Sequence, residues 1–128
     1  MRILVDTQVL LWIAEGSPRL SPQVSNRLRD RENEVLFSAA SIWEIAIKMA
    51  AKRSGFAVDA HETARLAVES GFAELPIDWR AAARAAELPL HHRDPFDRII
   101  IAQAMTEPAR LLTADEKLLP YSDLVTLI

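Results

Sequence analysis

Asp6, Glu44, Asp97 and Asp115 are the residues of this chain whose type and placement could do chemistry, each standing at or near the end of a short apolar run. If those runs are strands of one parallel sheet, the carboxylates gather, because open α/β sheets form their ligand crevice at the carboxyl ends of strands. Like charges held together resist ionising, so such a cluster must either keep protons or take a cation through its oxygens. Carboxylates without cysteine or an interleaved histidine suit a hard ion, Mg²⁺ or Mn²⁺, better than Zn²⁺.

Each acid also has a purely structural reading. Asp6 can cap a helix after the first strand, and Ser41-Ile42-Trp43-Glu44 has the spacing of a capping box, with Lys48 placed to pair with Glu44 at i, i+4. Asp94-Pro95-Phe96-Asp97 is a helix opening with Asp94 as cap, and Thr113-Ala114-Asp115-Glu116 is another capping pattern. Caps alone do not require convergence, however. Glu44 lies too deep in its helix for dipole stabilisation if Ser38 is the cap, and a buried acid needs a partner.

The elements that must position these acids alternate between strand-like and helix-like segments, the signature of βαβ units. Strands are expected at Ile3 to Val5, Val35 to Phe37, Phe72 to Leu75, Arg110 to Thr113 and Leu124 to Leu127. Helices are expected at Val9 to Ala14, Ser21 to Arg31, Ser38 to Lys52, Asp59 to Ser70, Asp78 to Glu87 and Pro95 to Met105. The helix from Ser38 is apolar around so much of its circumference that it should be buried between other elements. The fold class is therefore α/β: a parallel sheet of about five strands flanked by helices, with residues 1–128 as one domain.

Composition narrows the function. The 128 residues carry a formal net charge of -3, which excludes a basic protein that holds nucleic acid by bulk electrostatics, so a phosphate partner needs a bridging metal or a local patch. The absence of cysteine removes disulfides and thiolate chemistry. An early charge at Asp6 argues against a signal peptide and no later run approaches a membrane span, so a soluble, cytoplasmic protein without a membrane partner is expected.

At these residues the sequence resembles the PIN-domain ribonucleases, specifically the VapC-type toxins of prokaryotic toxin–antitoxin pairs. The resemblance is carried by Leu4-Val5-Asp6-Thr7 with Val9-Leu10-Leu11-Trp12, by Ser38 to Lys48, by Leu88 to Arg98 continuing to Ala102-Gln103-Ala104, and by Leu112-Thr113-Ala114-Asp115. It covers nearly the whole chain. It implies a metal-dependent endoribonuclease that uses Asp6, Glu44, Asp97 and Asp115, with Asp6 and Asp97 foremost as direct ligands of Mg²⁺ or Mn²⁺. Asp115 or Glu44 would hold a second ion or orient the attacking water, and the products would be a 5′-phosphate and a 3′-hydroxyl. It further implies RNA as substrate, a small VapB-type antitoxin as inhibitor, and a homodimer. Gln8 stands where relatives often have His or Asn.

Other residues qualify this picture. Asp94 could face the same site, and Ser41 and Thr113 could support the acids from behind or simply cap helices. Arg93 and Arg98 could contact RNA phosphates or form ion pairs. His91 and His92 raise a metal-free acid–base mechanism, but adjacent side chains point apart. Trp12, Trp43 and Trp79 could stack bases, although their helical patterns favour the core. Two non-enzymatic readings remain: an inactive RNA- or partner-binding PIN-like module, and a phospho-receiver using Lys117, whose acid pattern this chain lacks.

Overall fold

The computed structural model describes residues 1–51 and 59–128. β1 (Arg2–Val5) leads into α1 (Thr7–Glu15) and α2 (Pro22–Arg29), followed by β2 (Glu34–Ser38), α3 (Ala39–Ala50) and α4 (Ala60–Glu69). β3 (Ala73–Leu75), α5 (Trp79–Glu87), α6 (Pro95–Thr106), β4 (Arg110–Thr113), a 3₁₀ helix (Glu116–Tyr121) and β5 (Val125–Leu127) complete the chain. Every expected strand and helix is present. Lys52, the expected end of the third helix, lies outside the described residues. The 3₁₀ helix was not anticipated; it contains Pro120, which cannot donate to a longer helical ladder.

All strand pairs are parallel and the order is β3-β2-β1-β4-β5. The chain thus builds outward from β1 through β2 to β3, then returns to place β4 on the other side of β1. That reversal opens a crevice at the carboxyl ends of β1 and β4, where such sheets bind ligands.

The strands are apolar on both faces because helices cover both. Leu4, Leu36 and Leu111 pack with Ile100, Ile101 and Leu118 on one side. Ile3, Val5, Val35, Phe37 and Leu112 pack with Val9, Leu10 and Leu28 on the other. Gln103 is buried within α6, where its side chain bonds Ser38 and the carbonyls of Leu75 (3.3 Å) and Pro76 (3.2 Å). This joins the ends of β2 and β3 to α6 and satisfies polar groups that burial would otherwise penalise. Gly16 ends α1 at φ 63°, the left-handed conformation glycine adopts without a Cβ penalty.

Two expectations about apolar side chains need correction. α3 is not buried around its circumference: Ile45 is fully enclosed, but Trp43 and Ile47 are exposed, as is Met49 at the helix end. The reason is that α1, α4 and α6 pack against α3, and the residues this buries are Ala40, Ser41, Glu44 and Ile45 rather than the whole circumference. Trp43 stands edge-to-face with Phe96, with ring centroids 5.3 Å apart. Trp79 is 72% exposed at the first position of α5, off the inward stripe formed by Ala81 and Ala85, and carries the Arg80 guanidinium over its ring at 4.9 Å. Trp12 is half-buried, as its pattern suggested.

Candidate active site

The carboxyl end of β1 places Asp6 in the crevice. Its backbone N–H donates to the Leu112 carbonyl at 3.1 Å, continuing the β1 to β4 ladder by one residue. Its side chain caps α1, with Oδ1 accepting from the Val9 N–H at 2.8 Å, while Oδ2 accepts from the Thr113 hydroxyl. Thr113, fully buried at the end of β4, also accepts from the Asp115 N–H at 3.0 Å. Asp115 then caps the 3₁₀ helix through the Lys117 N–H, at 3.0 Å. Cap and convergence therefore coexist in the same residues.

Glu44 arrives from α3, whose cap is Ser38 rather than Ser41. It is 5% exposed; Oε2 meets Lys48 Nζ at 2.7 Å, and Oε1 is buried with no hydrogen-bond partner among the described residues. Asp97 stands in the first turn of α6, and Asp94 caps that helix by accepting from the N–H groups of Phe96 (2.9 Å) and Asp97 (3.4 Å). Asp6, Glu44, Asp97 and Asp115 all line one cleft of about 460 Å³, together with Asp94, Gln8, Lys48 and Lys117.

The electrostatics of the cleft are those of crowded, half-dry carboxylates. Burial pushes Asp6 up to about 6, against the pull of the Thr113 and Val9 hydrogen bonds, with Asp97 and Asp115 adding to the rise. Burial likewise pushes Asp97 up to about 6, aided by the charges of Asp94 and Glu44 and opposed by His92. A buried carboxylate oxygen without a donor and two acids reluctant to ionise fit a site completed by a cation. Oxygen donors from Asp6, Asp97, Asp115 and Glu44 suit a hard divalent ion such as Mg²⁺.

The sequence reading weighed His92 only as an acid–base partner of His91 and missed its contact with Asp97. Its Nε2 lies 2.7 Å from Asp97 Oδ2 and 3.9 Å from Asp115 Oδ2. Ligand atoms of His92, Asp94 and Asp97 all fall within 4.8 Å of one another. The two histidines do diverge: His91 sits edge-on to Tyr121, with centroids 5.0 Å apart. The signal was the His92-to-Asp97 spacing across a helix opening, which becomes a contact only through the path of the intervening loop.

Arg98 does not reach the cleft as a phosphate ligand. Its guanidinium donates to the carbonyls of Ala85, Leu88, Pro89 and His92 at 2.8 to 3.2 Å, so it fastens the loop before α6. Arg93 is exposed. Ser41 is buried and accepts from the Thr7 hydroxyl at 2.9 Å, supporting the turn after Asp6 rather than an acid directly.

A sequence model of the PIN domain matches residues 3–123. The chain belongs to the PIN domain family. No protein of curated function matches it in sequence. The fold of this PIN domain is similar to that of VapBC2 from Rickettsia felis bound to a promoter DNA fragment, with 14% identity and a TM-score of 0.71 over 100% of this chain and 98% of that one. FitAcB from Neisseria gonorrhoeae gives 20% identity and a TM-score of 0.64 over 98% of this chain and 96% of that one. VapBC-5, a toxin–antitoxin system member from Mycobacterium tuberculosis, gives 20% and 0.61 over 99% and 97%. Among the described residues of this PIN domain, no helix is long and apolar enough to cross a membrane.

Proposed function

We propose that this PIN domain is a Mg²⁺-dependent endoribonuclease, with Mn²⁺ as an alternative ion, acting as the toxin of a toxin–antitoxin pair. The observation that carries this reading is the convergence of Asp6, Glu44, Asp97 and Asp115 on one cleft that leaves a Glu44 oxygen buried and unpaired. A divalent ion held there would screen the phosphodiester charge and lower the pKa of a bound water.

The chain's own residues divide the remaining work. Thr113 and the Val9 N–H fix both oxygens of Asp6, so its carboxylate presents a single orientation to the cleft. Lys48 pairs with Glu44 at 2.7 Å and supplies a positive charge beside that buried acid. Asp94 fixes the start of α6 and with it the placement of Asp97. Lys117 and Gln8 line the cleft wall, where they can meet phosphate or ribose.

Solved structures similar to it in fold include complexes named as toxin–antitoxin systems, which supports a VapB-type antitoxin as partner; the proposal further takes the protein to act as a homodimer in the cytoplasm. The deciding experiment is digestion of a mixed RNA pool with Mg²⁺, with Mn²⁺ and with excess EDTA, with the new ends mapped. Cleavage confined to the metal-containing samples, leaving 5′-phosphates, supports the proposal. Full cleavage in EDTA would defeat it.

A further inference from the structure

We infer that His92 is a positioning residue for Asp97, holding the carboxylate in the orientation from which it takes a divalent cation. The inference rests on reading the cleft as a cation site, and it concerns a residue outside the acidic set. Three observations support it. The imidazole Nε2 is 2.7 Å from Asp97 Oδ2, a short contact for a nitrogen donor to a carboxylate. That bond engages Oδ2 and leaves Oδ1 outside it. The carboxylate plane is thereby fixed, as hydrogen bonds from behind commonly fix ligating acids.

The backbone of His92 is itself locked at both ends of the residue. Its N–H donates to the Tyr121 hydroxyl at 2.8 Å, and its carbonyl accepts from Arg98 Nη1 at 3.2 Å. Arg98 is the next residue after Asp97 and also grips the carbonyls of Ala85, Leu88 and Pro89. The Tyr121 hydroxyl in turn donates to the Pro89 carbonyl at 2.8 Å. The loop that carries His92 and the helix that carries Asp97 are thus bolted together within one residue of the contact. A side chain meant only to fill space would not need its main chain fixed from two elements. Such fixing is what a group requires when a displacement of about 1 Å matters.

The third observation is the position of Asp115 Oδ2, 3.9 Å from the same imidazole nitrogen. His92 therefore stands close to two acids, one from α6 and one from the turn after β4.

The test is Mn²⁺ binding, measured by calorimetry on the full chain freed of cations, for wild type, Asp97→Asn, His92→Ala, His92→Asn and His92→Gln. Loss of an outer hydrogen-bond partner typically costs about 10- to 100-fold in metal affinity, and that loss is expected for His92→Ala. His92→Asn, whose amide is too short to reach Asp97, should lose a similar factor and serves if the alanine variant fails to fold. His92→Gln keeps a nitrogen donor at a comparable reach and should bind within a few-fold of wild type. Asp97→Asn should lose binding altogether. If Asp97→Asn loses binding while His92→Ala and His92→Asn bind like wild type, the positioning role is overturned and the cation site stands. Tighter binding in those two histidine variants would mean that the imidazole blocks the acid, and would also overturn it. If wild type binds no Mn²⁺, or Asp97→Asn binds it unchanged, the cation site itself falls and the positioning role with it.

Discussion

Thr113 and Asp6, 107 residues apart in the chain, share a buried hydrogen bond that joins the ends of two adjacent strands. The hydroxyl is the donor and the carboxylate the acceptor, so the bond is strongest when Asp6 is ionised. Thr113→Val keeps the shape and removes the donor. It should cost about 1–3 kcal/mol at pH 7, the penalty for an acceptor left buried, and less at pH 4. Urea unfolding at the two pH values measures this, and Thr113→Ser should restore most of the loss. Equal stability of Thr113→Val and wild type at pH 7 would show that Asp6 draws nothing from the bond.

Stability without metal should fall as pH rises from about 4 to about 7. Asp6 and Asp97 are raised from 3.8 to about 6, so between those values the folded chain holds protons that the unfolded chain has released. Stability falls with pH wherever the native state binds more protons, by roughly 2 kcal/mol for each carboxylate here. The contribution is complete below the unfolded value and gone above the folded one. Melting in EDTA across this range, compared with Asp6→Asn and Asp97→Asn, isolates the effect. Each variant should be flatter than wild type, and parallel curves would contradict the electrostatic account.

Mg²⁺ should reverse that loss. An ion that binds only the folded chain adds about 2.7 kcal/mol at 100 times its dissociation constant. The rise in melting temperature at pH 7.5 should be large for wild type and small for Asp6→Asn and Asp97→Asn. An equal rise in all three would place the ion elsewhere.

The Lys48 and Glu44 pair can be taken apart from one side. Lys48→Met leaves a buried carboxylate with no partner, at a cost of about 1–3 kcal/mol, moderated because the Lys48 side chain is 40% exposed. Adding Glu44→Gln should recover much of the loss while abolishing RNA cleavage. Chemical denaturation of the two variants checks the first statement and an RNA cleavage assay the second. A double variant no more stable than Lys48→Met would show that the charge of Glu44 was not the source of the cost.

Much of this architecture was legible because local and tertiary signals agree in it. Ile3-Leu4-Val5 and Arg110-Leu111-Leu112-Thr113 are apolar on alternate faces that are both covered, and Asp6 and Asp115 follow such runs, so the crevice could be placed from sequence. Asp94-Pro95 announced α6 by cap chemistry alone. What stayed hidden depends on where a side chain's partners come from. Arg98 has the same spacing from Asp97 whether it binds phosphate or grips one carbonyl of α5 and three of the loop after it, and only the path of that loop decides. His92 was set aside beside His91 for the same reason, since its contact needs Tyr121 and Arg98 to fix that loop. Trp43 and Trp79 carry apolar patterns that say nothing about whether a neighbouring element arrives to cover them.

β1 lies at the centre of the sheet with β4 as one of its two neighbours, and β4 is made late. During translation Asp6, Glu44 and Asp97 are therefore synthesised before Leu112 and Thr113 exist to enclose the first of them. A nascent fragment that stops short of β4 lacks the Leu112 carbonyl and the Thr113 hydroxyl that hold Asp6. On the proposed function, the message and ribosome producing this chain are spared from it until β4 has been made, because the fold withholds its own chemistry from every copy that lacks that strand.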